Sequence, residues 1–227
     1  MIDNFVLSCK GIARHFNEAS GVLKVLTDVN LQISLGEKIA IIGSSGSGKT
    51  TLLHILGGLD QPTYGEIFLN GELFSNIDEI AKCKSRNNYI GFIYQFHHLL
   101  GEFSAQENVA FPLMIRGLNK KVALRKSKEM LGRVRLGDRL SHKPAALSGG
   151  ERQRAAVARA LITKPKIILA DEPTGNLDSN NREEVLELLL ELNDEINTSL
   201  IIVTHDKAIA KKMDRILHLE DGIIHQL

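Results

Sequence analysis

The run Gly43-Ser44-Ser45-Gly46-Ser47-Gly48-Lys49-Thr50 constrains this chain more than any other stretch. It has the form GxxxxGK[ST]. Backbone N–H groups of such a loop wrap phosphates, the lysine reaches the outer phosphates, and the threonine hydroxyl holds Mg²⁺. The loop works only between a strand and a helix. Ahead of it, Lys38-Ile39-Ala40-Ile41-Ile42 is a short apolar run that reads as a buried strand. Behind it, Thr50 to Leu56 carries no breaker until Gly57-Gly58, as a helix should. The helix N-terminus then adds the positive end of its dipole to the phosphate site.

Around this unit the pattern alternates. Phe5-Val6-Leu7-Ser8-Cys9 and Val29-Asn30-Leu31-Gln32-Ile33 read as strands, the second with clean alternation. Gly65 to Glu72 places Asn70-Gly71 behind an apolar strand, a strong hairpin signal. Tyr89 to Gln95 reads as another strand. From about Ala105 to Ala160 charged and apolar residues recur at helical spacing, which reads as a helical insertion. Strand character returns at Ile167 to Ala170 and Leu200 to Val203, with a leucine-rich helix from Glu183 to Ile196 between them. Strands alternating with helices imply an α/β fold with a mainly parallel sheet; the early strands imply an additional antiparallel sheet. The expected organisation is one domain over 1–227, with a nucleotide-binding core from 1–95 and 161–227 and a helical subdomain from 96–160.

A chain of 227 residues can bury a substantial core. Its 28 basic and 27 acidic residues give a formal charge of +1, which leaves no electrostatic footprint for nucleic acid. No apolar stretch approaches about 18 residues, so no transmembrane helix is expected. Met1-Ile2-Asp3-Asn4 is acidic and polar, unlike a secretory signal. Cys9 and Cys83 lack metal-type spacing and read as free thiols.

Further chemistry lies at the ends of the apolar runs. Asp171 follows Ile167 to Ala170, where a carboxylate can hold Mg²⁺ directly or through water. Glu172 is next and is the candidate to accept or orient a proton of the water attacking a γ-phosphate. Gln95 ends its strand and offers an amide to Mg²⁺ or water. His205 follows Leu200 to Thr204, placed to hydrogen-bond a γ-phosphate and to position Glu172. Gly175-Asn176-Leu177-Asp178 reads as a polar turn or a subunit-contact loop. Finally, Ser148-Gly149-Gly150 precedes the helix-forming run Glu151 to Ala160, making a second anion site at a helix N-terminus.

Leu147-Ser148-Gly149-Gly150-Glu151-Arg152-Gln153 resembles the signature motif of ATP-binding cassette (ABC) ATPases. The phosphate loop, Gln95, the signature, the acidic strand, the Asp178 loop and His205 occur in that family's order, from about Phe16 to His205. The resemblance implies Mg²⁺ and ATP as cofactors and a head-to-tail homodimer. In it, Ser148, Gly149, Gly150 and Gln153 of one copy close on nucleotide held by residues Gly43 to Thr51 of the other. The implied metal ligands are Thr50, Gln95 and Asp171; Glu172 and His205 are the implied catalytic pair. Phe16 stands where the family often stacks adenine on a tyrosine, and keeps the stacking face.

Gly91-Phe92-Ile93-Tyr94-Gln95-Phe96-His97-His98-Leu99-Leu100, with Gly57 to Asp60 and Asp171 to Asp178, is similar to the ATPase subunits of Lol-type lipoprotein-releasing transporters. That similarity runs from roughly Leu7 to Gly222, and the family's usual proline is Gly101 here. It implies a peripheral protein at the cytoplasmic face of the bacterial inner membrane. Two membrane-spanning subunits would be its partners, and lipoprotein cargo would be met only indirectly. Phe96, His97, His98, Leu99, Leu100 and Phe103 would line the partner groove or pack the domain's own core. Macrolide-efflux-type and cell-division-type ATPases share most of these motifs, and a non-transport regulatory clamp is the alternative from another class.

Overall fold

The computed structural model describes residues 5–19 and 21–226. The first four residues, read above as unlike a secretory signal, lie outside the described residues.

Two sheets carry the chain. β1 (Phe5–Glu18), β2 (Gly21–Ser34), β4 (Tyr64–Leu69) and β5 (Glu72–Leu73) form an antiparallel sheet in the order β2-β1-β4-β5. Asn70 and Gly71 both take positive φ, 52° and 82°, as a two-residue hairpin turn requires. β1 and β2 run well beyond the expected strands. Register shifts between Cys9 and His15 break the alternation that would have marked them.

The second sheet has the order β10-β9-β3-β8-β7-β6. Its parallel part comprises β3 (Lys38–Ile42), β6 (Ile90–Tyr94), β7 (Ile167–Asp171), β8 (Ser199–Val203) and β9 (Arg215–Glu220). β10 (Ile223–Gln226) adds an antiparallel edge. Side chains alternate faces along each strand. Ile39, Ile41, Ile167, Leu169, Ile201 and Val203 pack with α1 (Lys49–Leu56) and the antiparallel sheet. Ala40, Ile168, Ala170, Leu200 and Ile202 pack with the helices of the other face. Both faces are covered, which is why these strands read as continuous apolar runs.

That other face holds α3 (Ala105–Ile115), α4 (Lys120–Arg133), α5 (Gly149–Leu161), α6 (Ser179–Glu195) and α7 (Lys207–Ala210). Residues 105 to 160 are thus helices joined by turns, with no strand among them, as expected of a helical insertion. α6 begins a turn earlier than the leucine pattern suggests, because Asp178 caps it by accepting from the Asn181 N–H at 3.1 Å. α2 (Glu79–Tyr89) has no counterpart in the sequence reading. Its one fully buried residue is Lys82, 2% exposed, so it carries no apolar stripe to detect.

Candidate nucleotide site

The site is built at the carboxyl ends of neighbouring parallel strands, where open α/β sheets bind their ligands. The phosphate loop follows β3, His205 follows β8, Asp171 ends β7 and Gln95 follows β6. Strand order β3-β8-β7-β6 therefore sets the order of these groups in space. A cavity of about 430 Å³ opens here, lined by Val25 of the antiparallel sheet, the loop from Ser45 to Thr51, Asp171, Glu172 and His205.

The loop is held in phosphate-ready form by its own backbone. Gly48 is the N-cap of α1 at φ 94°, with no side-chain cap. A Cβ there would meet Val25 Cγ1 at 2.8 Å as well as bearing the strained φ. The first N–H groups of α1 therefore have no intrahelical acceptor and face the cavity's end of the helix. Lys49 arches back, donating to the carbonyls of Gly43 at 3.0 Å and Ser44 at 2.7 Å. The Ser47 hydroxyl is buried without a hydrogen-bond partner in the protein. An orphaned hydroxyl, uncapped N–H groups and a lysine on one loop fit an anion with several oxygens.

Thr50 Oγ1 donates to Asp171 Oδ2 at 2.9 Å. Burial raises the Asp171 pKa above the ordinary carboxylate value, against the lowering by Thr50. A hydroxyl and a desolvated carboxylate in contact form a hard-oxygen pair suited to Mg²⁺. Gln95 does not line the cavity. Its Nε2 donates to Asn176 Oδ1 at 2.8 Å, and Asn176 Nδ2 returns a bond to Gln95 O at 3.3 Å. The Gly175–Asp178 loop is thereby tied to Gln95, leaving Oε1 of Gln95 as the atom it can offer.

Glu172 sits at φ 44°, a left-handed conformation that costs a residue with a Cβ. Three contacts hold its carboxylate. Oε2 accepts from Thr204 Oγ1 at 3.0 Å, and Oε1 accepts from the His205 N–H at 3.0 Å and faces His205 Nδ1 at 2.6 Å. With Nδ1 donating to Glu172, Nε2 is the nitrogen left to meet a substrate. The imidazole is 76% exposed while the Glu172 side chain is 18% exposed. Thr204 was missed in the sequence; its hydroxyl also accepts from the Asp206 N–H at 3.0 Å, a local turn signal readable in Thr204-His205-Asp206.

The signature residues lie elsewhere. Ser148 is the N-cap of α5 in a capping box with Glu151: Ser148 Oγ accepts from the Glu151 N–H at 3.2 Å, and Ser148 N donates to Glu151 Oε2 at 2.8 Å. Accepting leaves the hydroxyl proton of Ser148 free, and Ser148 and Gly149 are exposed. Gly150 is buried; a Cβ there would lie 2.5 Å from Asn181 Oδ1 on α6. None of the three lines the cavity among the described residues. α1 and α5 pack on opposite faces of the parallel sheet, and the α5 N-terminus contributes nothing to the lining of the cavity at α1 among the described residues. The expectation that Gln153 contacts nucleotide does not match its placement. It is 1% exposed, and its Nε2 donates to the carbonyls of Tyr94 and Pro173.

Phe16 is half-buried on β1 opposite Leu23, with the Arg14 guanidinium 4.5 Å from its ring centroid. Arg14 in turn pairs with Asp60 at 2.9 Å. Of the apolar residues after Gln95, Phe96 is 70% exposed and Leu100 and Phe103 are exposed, while Leu99 packs against the helical core. His97 is half-buried, and burial, then the Arg152 guanidinium, push its pKa down.

A sheet flanked on both faces, a phosphate loop with a Glu–His pair beside it, and a separate signature helix define an ABC-type ATPase. The chain belongs to that family: residues 26–175 match the ABC transporter family model. Curated relatives named lipoprotein-releasing system ATP-binding protein LolD are similar throughout. The Acinetobacter baylyi protein is 51% identical over 98% of each chain. The Francisella tularensis protein is 52% identical over 97% of this chain and 96% of its own. The Legionella pneumophila protein is 50% identical over 99% of each. Among solved structures, the ATP-binding cassette MJ0796, a dimer bound to ADP and Pi in a post-hydrolysis state, superposes with a TM-score of 0.90 at 37% identity, over 97% of each chain. The chain is an ATP-hydrolysing cassette, and no described helix is long and apolar enough to cross a membrane.

Proposed function

We propose that two copies of this chain clamp two ATP molecules and drive membrane subunits that release lipoproteins from the inner membrane at its cytoplasmic side. The carrying observation is the Glu172–His205–Thr204 cluster on the same cavity as Lys49, Thr50 and Asp171. Near 50% identity to LolD proteins over the whole chain supports the cargo class.

In this reading the loop Gly43–Thr51 and Lys49 bind the phosphates, and Phe16 offers its ring to the base. Thr50 and Asp171, with Gln95, would hold Mg²⁺, which when bound neutralises charge on the β- and γ-phosphates. Glu172 accepts a proton from the attacking water as its oxygen bonds to the γ-phosphorus and the bond to the ADP oxygen breaks. His205 keeps Glu172 in place through Nδ1 and turns Nε2 to the γ-phosphate. Ser148, Gly149 and the first N–H groups of α5 in one copy close on the nucleotide of the other. The functional division follows: 1–95 with 161–227 hold the nucleotide, and 96–160 presents the signature.

The membrane partner has a fitting surface. A groove of about 380 Å³ runs between α2, α3, α5 and β6, with apolar walls from Leu59, Phe92, Pro112 and Ile115. Arg86 and Arg159 line it, and Arg116 lines the adjoining cavity. An acidic amphipathic segment of a membrane subunit matches that lining. Phe96, Leu100 and Phe103 are exposed and outside this groove's lining. Pulling the chain from detergent-solubilised native membranes tests the assignment. Co-purification of two lipoprotein-releasing-type membrane subunits is expected. An efflux permease or a division protein would overturn the cargo, and no membrane partner would favour a soluble regulatory clamp.

A further inference from the structure

Arg159 lies near the C-terminal end of α5. Its guanidinium donates to two consecutive carbonyls, His98 O and His97 O, each at 2.6 Å. Both residues are left-handed, φ 60° for His97 and 47° for His98. Side chains with a Cβ resist that conformation, and two in succession need outside support. Arg159 is half-buried, burial pulls its pKa down, and no carboxylate pairs with it among the described residues. Its fork of donors is committed to backbone oxygens instead.

Elsewhere along the same helix, Gln153 donates to Tyr94 O, the Gly149 backbone bonds the His97 imidazole, and the Arg152 charge acts on it through space. Helix α5 therefore grips the chain on both sides of Gln95. We propose that Arg159 is a positioning residue for ATP hydrolysis: by fixing the left-handed His97–His98 pair to α5, it makes Gln95 and the Ser148–Gly150 end of that helix move as one body. It touches no substrate atom. Because Arg159 also lines the 380 Å³ groove, this link lies between the proposed partner surface and Gln95. The inference rests on the assignment of Gln95 to the nucleotide site.

The test compares kcat and KM for MgATP in the full chain with Gln95→Ala, Arg159→Met, Arg159→Lys, and Arg159→Met combined with His97→Gly and His98→Gly. Arg159→Met is expected to lower kcat about tenfold with KM changed by less than about twofold, the mark of a group that acts beyond substrate binding. Glycine takes left-handed backbone without a Cβ penalty, so the glycine pair should restore kcat by about threefold or more in that background. If Arg159→Met fails to fold, Arg159→Lys carries the test, since one ammonium cannot reproduce the fork and the same glycine rescue is expected. A kcat unchanged by Arg159→Met while Gln95→Ala is slow overturns the coupling alone. A lowered Tm with lost activity and no glycine rescue makes Arg159 a packing residue and overturns it too. Turnover indifferent to Gln95→Ala overturns the site assignment and this inference with it.

Discussion

Glu172→Gln separates chemistry from architecture at this site. Glutamine keeps the shape of glutamate, so each contact of the carboxylate has a replacement. Its carbonyl can accept from the His205 N–H and Nδ1, which now approach Glu172 Oε1 at 3.0 and 2.6 Å. Its NH₂ then faces Thr204 Oγ1, which reverses and accepts; that oxygen already accepts from Asp206 N and has a second lone pair. The reversed Thr204 hydroxyl loses the acceptor for its own proton at a fully buried residue, so stability should fall by about 1–3 kcal/mol. What disappears is the proton acceptor. A positioned general base is worth about 10²–10⁴ in rate, or roughly 2.7–5.4 kcal/mol at 1.36 kcal/mol per decade. Phosphate release at saturating MgATP should therefore fall at least about 100-fold, while the Kd for ATP stays within about threefold, under roughly 0.7 kcal/mol. Because hydrolysis reopens the clamp, the variant should accumulate as an ATP-bound dimer in light scattering. A kcat within about tenfold of the parent would leave under about 1.4 kcal/mol to this carboxylate and place the base elsewhere. A monomer under saturating ATP would refute the clamp.

Three further outcomes follow from the same geometry. Ser148→Arg should abolish turnover while sparing ATP binding, since its target is the partner's nucleotide; losing the α5 cap should cost about 1 kcal/mol in urea unfolding, and full activity would sink the trans arrangement. Burial raises Asp171 above its unfolded value, so its contribution to stability is greatest below about pH 3.9 and is lost as pH rises through the raised folded value. Mg²⁺ needs the ionised form, so Mg²⁺ affinity should fall as pH drops through that same value, read by calorimetry; affinity flat on acidification would exclude Asp171 as the ligand. Glu151 runs the other way. The Ser148 N–H, then Arg139, hold its carboxyl below the usual range, giving stability above about pH 4.3 that is lost as pH falls through the depressed value. Glu151→Gln should flatten the acid limb of stability between those values, and an unchanged limb would refute the capping box as its source.

Much of the parallel sheet was readable because buried strands have nowhere to put polar residues. Lys38–Ile42 appears as expected to the residue, and Asn70-Gly71 marks its turn. The unread parts fail for identifiable reasons. α2 buries a lysine instead of an apolar stripe, and the β1–β2 arm hides its alternation behind register shifts. β9 and β10 are short strands joined at Asp221-Gly222, a turn signal that was there to be used. In the site, the residues with their own motif were legible. Val25, Thr204 and Arg159 were not, since each matters only through a neighbour distant in sequence.

The separation of the two anion-binding helix ends gives a physical footing to what the signature resemblance implies. The phosphate loop and the signature each say that phosphate is bound, and the resemblance assigns them to different nucleotides. The structure adds side-chain alternation in β3, β7 and β8. Ile39, Ile41, Leu169 and Val203 turn to the face that carries α1, while Ala40, Ile168, Ala170 and Ile202 turn to the face that carries α5. Ser148, Gly149 and Gly150 accordingly contribute nothing to the lining of the cavity at the phosphate loop among the described residues. In the proposed clamp a second copy would complete the site, and a C₂ arrangement would complete both sites at once. In that reading, hydrolysis in either site would remove a γ-phosphate bridging two chains, and ATP turnover would become a change in the distance between subunits. A membrane partner docked in the groove beside Arg159, as proposed, would be placed to use that output.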